Sequence, residues 1–141
     1  MMKLLSKYKK EWMIIVLLPV LILFLDQIGG RAGLYQTIVR FDEFMHFGGG
    51  ITIAVSYFLL IKIAQKEKLI GEMNMWIYFA FVISLVALTA VTWEFYEYIL
   101  DVVLPSHVRQ PSIKDTMGDL LMGLLGGSLG FLIGKSKWLK K

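Results

Sequence analysis

Residues 73–100 read MNMWIYFAFVISLVALTAVTWEFYEYIL, and this stretch decides the fold. It carries no charge from Met73 to Trp93, and Glu94 and Glu97 then follow within the same apolar run. A helix of about 20 residues, at about 1.5 Å per residue, crosses the hydrocarbon of a bilayer. The stretch therefore predicts a membrane-spanning helix with two acids near one end.

The rest of the chain has the same apolar character. Of its 141 residues, 57% are hydrophobic and only 18% are charged, which is far from the balance of a soluble domain. Hydrocarbon offers no partner for unpaired backbone groups, so an open chain spans it as helices. The sequence predicts an all-α integral membrane protein, with one domain over residues 1–141. Its four-transmembrane-helix bundle has spans at about 12–28, 37–63, 73–100 and 113–134.

The basic residues predict how the bundle is oriented. Lysine and arginine accumulate on the cytoplasmic side of membrane proteins. Eleven of the fifteen fall at one end of the predicted bundle: Lys3, Lys7, Lys9, Lys10, Lys62, Lys66, Lys68, Lys135, Lys137, Lys140 and Lys141. We therefore expect a multi-pass protein of the cell (cytoplasmic) membrane with both termini cytoplasmic. The net charge of +4 reflects this topology and anionic lipid, and no nucleic-acid partner is predicted.

Six ionisable side chains lie near the opposite, outer ends of the predicted helices. They come as three pairs, and the members of each pair are three or four residues apart: Asp42 with His46, Glu94 with Glu97, and Asp115 with Asp119. Residues at this spacing share a helix face. Because an ionisable residue within the membrane is costly, it suggests function by default. We expect one layer of charge that faces the bundle interior or a cavity open to the outside.

A divalent cation is the simplest way to neutralise this layer. Carboxylates held close together repel one another unless they are protonated, paired with arginine or bridged by a cation. Oxygen ligands with one imidazole suit Mn, Fe, Zn or Mg, and the chain has no cysteine for a thiolate site. The predicted metal ligands are Asp42, His46, Glu94, Glu97, Asp115 and Asp119. No catalytic nucleophile is indicated.

Several of these residues have a structural alternative. Asp115 follows Ser112 by three residues, which is a capping-box pattern, so Asp115 either caps the fourth helix or joins the site. Asp42 either offsets a helix dipole or binds the cation, and His46 is either a hydrogen-bonded structural residue or a ligand. Arg109 either neutralises the acids or binds the phosphate of a substrate.

Three acids, two within the layer and one close to it, also have alternative interpretations. Glu94 and Glu97 either bind the cation or reach out to water from an interfacial belt of aromatic residues. Asp26 is expected to end the first span at the interface rather than to act as a ligand.

Glycines follow helical spacing in the fourth predicted span. Small residues four apart form a face that lets another helix approach closely. They are Gly123, Gly126, Gly127, Gly130 and Gly134. This packing face is either internal or joins two copies of the chain as a homo-oligomer.

The order Asp42-x-x-x-His46, Glu94-x-x-Glu97, Asp115-x-x-x-Asp119 resembles the YjdF family of small bacterial membrane proteins of unassigned function. The chain is also similar to the VanZ-like family, in which an arginine precedes a Ser-x-x-Asp helix start. It departs from the VanZ-like pattern at Glu97 and Asp119, where amides are expected. VanZ-like proteins are linked to low-level glycopeptide tolerance. The resemblance implies the same site residues but no particular chemistry.

Three function classes follow from the sequence. The first is a metalloprotein that acts on a lipid or cell-envelope head group at the outer leaflet. The second is a cation or proton transport element, although no continuous polar path is visible along the third span. The third is a structural or regulatory bundle in which the acids and Arg109 satisfy one another.

Overall fold

The computed structural model of the chain describes residues 2–104 and 109–138. These residues form six helices and no strand, which confirms the predicted all-α class. Lys140, Lys141 and His107, which lies in the loop between α5 and α6, are outside the described residues. The helices are α1 (Met2–Lys7), α2 (Lys9–Arg31), α3 (Leu34–Thr37), α4 (Phe41–Lys66), α5 (Met75–Val103) and α6 (Ile113–Trp138).

Four of these helices are long and apolar enough to cross a membrane, as predicted. They are α2, α4, α5 and α6, with mean hydropathies of 2.3, 1.7, 2.1 and 1.5 over their most apolar windows. Helices α2 and α6 continue past the predicted apolar segments into stretches that carry charged residues such as Lys9 and Lys135. The Asn74 side chain accepts a hydrogen bond from the Ile77 amide at 2.9 Å and caps the start of α5.

The second span begins later than the sequence indicates. Residues Leu34–Thr37 form the separate short helix α3, and Arg40 then adopts a left-handed backbone conformation with a φ of 61°. Such a φ is uncommon for a residue other than glycine and interrupts a right-handed helix. The chain therefore turns at Arg40 before α4 begins at Phe41.

Helix α4 is the centre of the bundle. It packs most extensively against α6 and also contacts α2 and α5, while α5 contacts α6 as well. Helices α2 and α5 both lie wholly within the described residues, and no Cα atom of one comes within 8 Å of a Cα atom of the other. The bundle is therefore open between its first and third spanning helices.

The two ends of the bundle differ in their interiors. At the end where α4 finishes, the Phe58 ring stacks on Tyr78 with 4.8 Å between centroids, and Phe131 packs edge-on against both. The Tyr78 hydroxyl donates to the Phe58 carbonyl oxygen at 2.5 Å, so this polar group is satisfied inside the core. We call this end of the bundle the basic end. The opposite end, where α4 and α6 begin, is called the acidic end.

The glycines of α6 pack against helices of the same chain. A Cβ atom at Gly126 would collide with the Phe47 carbonyl oxygen of α4, and one at Gly130 would come within 2.5 Å of the Ile51 carbonyl oxygen. Gly127 faces Val86 of α5. Gly123 and Gly134 also contact α4 or α5. The glycine face therefore serves internal packing, which is how small residues bring helices together in lipid.

A polar clasp joins the first residues to the loop after α4. The Lys7 ammonium and the Tyr8 hydroxyl both donate to Glu67 Oε1, each at 2.6 Å. These hydrogen bonds from Lys7 and Tyr8 hold the pKa of the Glu67 carboxyl below its ordinary value. The clasp fixes α1 at the basic end.

Candidate functional site

Three helices bring their ionisable side chains together at the acidic end. Helix α4 contributes Asp42 and His46, α5 contributes Glu94 and Glu97, and α6 contributes Asp119. Among the described residues, two groups have ligand atoms within 4.8 Å of one another. They are Asp42, His46 and Asp119, and His46, Glu94 and Glu97. His46 belongs to both groups, so these residues form one cluster around its imidazole, which we call the carboxylate–histidine cluster.

The imidazole of His46 lies between carboxylates of two helices. Its Nε2 atom is 3.5 Å from Asp42 Oδ1 and 3.7 Å from Glu94 Oε1. Both separations exceed those of an ordinary N–H···O hydrogen bond. Two ligands that share one metal at about 2.0–2.2 Å are themselves about 3 to 3.5 Å apart. The spacing at His46 therefore approaches the spacing of metal ligands.

Glu94 has one satisfied oxygen and one without a partner. The Gln110 side-chain amide donates to Glu94 Oε2 at 2.7 Å and to the Glu94 carbonyl oxygen at 2.8 Å. Glu94 Oε1 is buried and accepts no hydrogen bond, although it points towards His46. Gln110 thus fixes the carboxylate and leaves its second oxygen to the cluster.

Asp119 is the deepest acid of the cluster. It is 2% exposed, and its Oδ1 atom is buried without a hydrogen-bond partner. The described residues contain three such orphaned side-chain atoms, of which two belong to Glu94 and Asp119 and the third to Trp12. Since almost all buried polar atoms in proteins are paired, two orphaned oxygens in one cluster require an explanation.

Glu97 connects the cluster to Arg109, which precedes α6. Its Oε1 atom lies 3.7 Å from the Arg109 guanidinium, while its side chain is only 5% exposed. The Arg109 and Gln110 backbone amides donate to the Asp101 carboxylate at 2.8 to 3.0 Å. Asp101 thereby holds the backbone of Arg109 and Gln110, and the Arg109 side chain reaches Glu97.

Asp115 has a different position from Asp119. Its backbone amide donates to Ser112 Oγ at 3.2 Å, which is the cap that the sequence pattern suggests. Its side chain lines an open cavity, and neither ligand group found among the described residues includes it. Asp115 therefore lies beside the cluster rather than in it.

Asp26 is buried, and its hydrogen bonds are satisfied near the end of α2. The Tyr35 hydroxyl donates to Asp26 Oδ1, and the Gln27 amide donates to Oδ2 at 3.0 Å. Burial of the ring, together with the Asp26 carboxylate, raises the pKa of Tyr35 well above its ordinary value. Tyr35 therefore stays a hydrogen-bond donor at neutral pH, and Asp26 serves to anchor α3 to α2.

A polar cavity of about 560 Å³ opens at the acidic end. Three arginines line it, Arg31, Arg40 and Arg109, together with four acids, Asp26, Asp42, Glu97 and Asp115. Two of these acids, Asp42 and Glu97, also belong to the carboxylate–histidine cluster. The cluster is therefore reached from this cavity.

Two polar contributors were missed by the sequence analysis. Gln110 orients Glu94, and Tyr35 satisfies Asp26. An amide next to Arg109 and a tyrosine between two spans give no periodic signal, because their partners lie on helices distant in sequence. The sequence indicates Gln110 and Tyr35 only indirectly. Buried acids need hydrogen-bond donors, and both residues lie in segments that join spanning helices at the acidic end.

The fold and the site together define a class: a small four-helix membrane protein with a buried carboxylate–histidine cluster at one end. The chain belongs to the family described as "Predicted membrane protein (DUF2238)", whose model matches residues 4–140. This match confirms the YjdF-type resemblance, whereas similarity to the VanZ-like family stays a prediction. No curated protein and no solved structure matches the chain significantly.

Proposed function

We propose that this protein binds one divalent cation in the carboxylate–histidine cluster. His46 is the proposed central ligand because it belongs to both groups, with Asp42 and Asp119 on one side of it and Glu94 and Glu97 on the other. One observation carries the proposal: Glu94 Oε1 and Asp119 Oδ1 are buried without hydrogen-bond partners in a cluster that converges on His46. A buried carboxylate oxygen without a hydrogen bond is strongly unfavourable, and a cation bound beside His46 is a partner that either oxygen can take.

The balance of charge also supports a cation. Four carboxylates in the cluster, Asp42, Glu94, Glu97 and Asp119, surround one imidazole and reach one arginine. A histidine that binds the cation is neutral, so Arg109 supplies one positive charge and a divalent cation adds two at short range. Protonation of one carboxylate then neutralises the cluster. Without the cation, at least two of the four carboxylates have to be protonated or paired in another way, even with a protonated His46.

Transport through the bundle receives less support. The basic end is filled by the stacked rings of Phe58, Tyr78 and Phe131, and Val82 and Val86 are fully buried above them. Helix α5 carries no acid between Met75 and Trp93. An ion that leaves the cluster towards the basic end would meet an apolar packed core, so a site with access from one side is the better explanation.

Metal content of the purified protein tests the proposal. After incubation with Zn²⁺ or Mn²⁺ and removal of free metal, the wild-type protein is expected to retain about one equivalent by elemental mass spectrometry. Glu94→Gln removes a ligand charge, and its affinity is expected to fall by more than about 100-fold. Glu43→Gln is the matched control, because Glu43 pairs with Arg40 outside the cluster. Wild-type protein without stoichiometric metal would contradict the proposal.

The cavity around the cluster suggests what the cation serves. A bound divalent cation polarises a phosphoryl oxygen or activates water. The three arginines of the polar cavity suit a phosphate-bearing head group of a lipid or cell-envelope component. We propose that this end faces the outer leaflet of the cell membrane, because the opposite end carries most of the basic residues.

Cysteine labelling tests this orientation. The chain has no cysteine, so a single introduced thiol reports one position. In intact cells, a membrane-impermeant maleimide is expected to label Thr37→Cys, which lies at the acidic end. Gly71→Cys, in the exposed loop between α4 and α5, is expected to react only after permeabilisation. Labelling of Gly71→Cys but not of Thr37→Cys in intact cells would place the cluster on the cytoplasmic side.

A further inference from the structure

A second, apolar cavity adjoins the polar one. Its volume is about 320 Å³, which is within the range of small-molecule sites. Its walls come from α2, α4 and α5, and include Ile22, Ile53, Val86 and Trp93. Asp26, Tyr35 and Asp42 line both cavities, so the two meet at these residues. Together they form a space that is polar at the acidic end and apolar towards the middle of the bundle.

The apolar cavity lies where the bundle is open. It is bounded by Pro19, Ile22 and Leu23 on α2 and by Val86, Ala90 and Trp93 on α5. These two helices, both within the described residues, have no Cα atoms within 8 Å of each other. The two backbones are therefore separated beside the cavity, which is the side from which a molecule in the surrounding bilayer can approach it.

The charges at the junction select the kind of head group. The polar cavity is lined by four acids and three arginines, so by itself it carries a small excess of negative charge. A divalent cation in the adjoining cluster offsets two of the carboxylate charges there and adds a second binding group for an anion beside the arginines. Phosphate binds both guanidinium groups and divalent cations. An anionic phosphate is thus the complementary ligand once the cation is present.

We propose that the joined cavities bind an anionic phospholipid, with its phosphate in the polar cavity and one hydrocarbon chain in the apolar cavity. This inference rests on the proposed cation site and adds the ligand class that the site serves. A free phosphate would leave the apolar cavity without a partner, and a neutral lipid would bring no anionic group to the arginines and the cation. The lipid enters laterally between α2 and α5, with no passage through water.

Native mass spectrometry of the full chain in non-ionic detergent tests this inference. The probe is oleoyl lysophosphatidic acid, compared with glycerol 3-phosphate as the head alone and monoolein as the chain alone. On Zn²⁺-loaded protein we expect one bound lysophosphatidic acid. We expect either partial ligand to bind at least about tenfold more weakly. Glycerol 3-phosphate loses the burial of the methylene groups and monoolein loses the charged contact, and either loss is large enough to weaken binding by that factor.

One variant separates the lipid from the metal. Gly49 lines the apolar cavity, and a Cβ atom there meets no heavy atom within 4 Å, so a larger side chain extends into the open space. Gly49→Leu is expected to lose lysophosphatidic acid binding and to keep the metal. Gly71→Leu, in the exposed loop at the basic end, is the control and is expected to keep both.

Failure of the inference and failure of the cation site give different results. If the wild-type protein retains metal but does not bind lysophosphatidic acid, only the lipid inference is overturned. The inference is also overturned if glycerol 3-phosphate or monoolein binds as tightly, because the site would then take a free anion or a neutral lipid. If no metal is retained and lysophosphatidic acid does not bind, both proposals fail. If lysophosphatidic acid binds equally well to metal-free protein, the proposed role of the cation in lipid binding is overturned.

Discussion

Replacement of Gly126 by alanine is expected to destabilise the bundle severely. The new methyl group would collide with the carbonyl oxygen of Phe47 and lie 2.9 Å from its carbonyl carbon. Overpacking against side chains typically costs about 1–3 kcal/mol, and here the obstacle is helix backbone, which cannot rotate away. Because α4 and α6 make the most extensive contact in the bundle, their separation would loosen the whole fold. We expect a loss of about 3 kcal/mol or more.

Denaturant unfolding in detergent, followed by circular dichroism, measures this loss. Gly118→Ala is the matched control on the same helix, because a Cβ atom there meets nothing within 4 Å. Alanine is the better helix former, so the control is expected to be as stable as wild type or more stable by about 0.5–1 kcal/mol. Equal stability of the Gly126 and Gly118 variants would contradict the packing role of Gly126.

The glycine contacts also position the carboxylate–histidine cluster. Gly123 lies 3.9 Å, measured from an ideal Cβ position, from the His46 carbonyl oxygen, and Gly126 lies against the next residue of α4, Phe47. Asp119 precedes Gly123 by about one turn of α6. Close backbone approach at the glycines therefore brings Asp119 level with the His46 imidazole. The packing face and the cluster, which are separate patterns in the sequence, act together in the fold.

The spanning helices could be predicted because their signal is local. Each is a long apolar run, and the run from Met73 to Trp93 is uncharged throughout. The acidic layer could be predicted for a related reason: Asp42 and His46, or Glu94 and Glu97, share a helix face by spacing alone. A buried acid within an apolar segment is conspicuous in any sequence of this composition.

What could not be predicted depends on contacts between distant segments. The sequence left open whether the glycine face of α6 packs internally or between copies, because this depends on the route of α4. The break before α4 follows from the backbone of Arg40, a residue without a turn preference that would mark it. The partners of the acids, Gln110 for Glu94 and Tyr35 for Asp26, become visible only after the helices are assembled.

Asp119→Asn is expected to have opposite effects in the presence and absence of metal. Without metal, the substitution removes one of several like charges from a buried cluster, so the free energy of unfolding is expected to rise, on the order of 1 kcal/mol. With metal at about 100 times its dissociation constant, the wild-type protein gains about 2.7 kcal/mol from binding. The variant has lost a ligand oxygen and is expected to lose most of that gain.

Thermal or denaturant unfolding of both proteins, with chelator and with Zn²⁺, measures the two effects together. Asp115→Asn is the matched control, because Asp115 lies one turn earlier on α6 and outside both ligand groups found among the described residues. The Asp115 variant is expected to change the free energy of unfolding in chelator, and the stability gained from Zn²⁺, by no more than about 0.5 kcal/mol each. A structural role for Asp119 predicts the reverse, namely lower stability with chelator and an unchanged gain from Zn²⁺. The sign of the change in the free energy of unfolding, measured with chelator, therefore distinguishes a carboxylate that binds a cation from one that stabilises the fold.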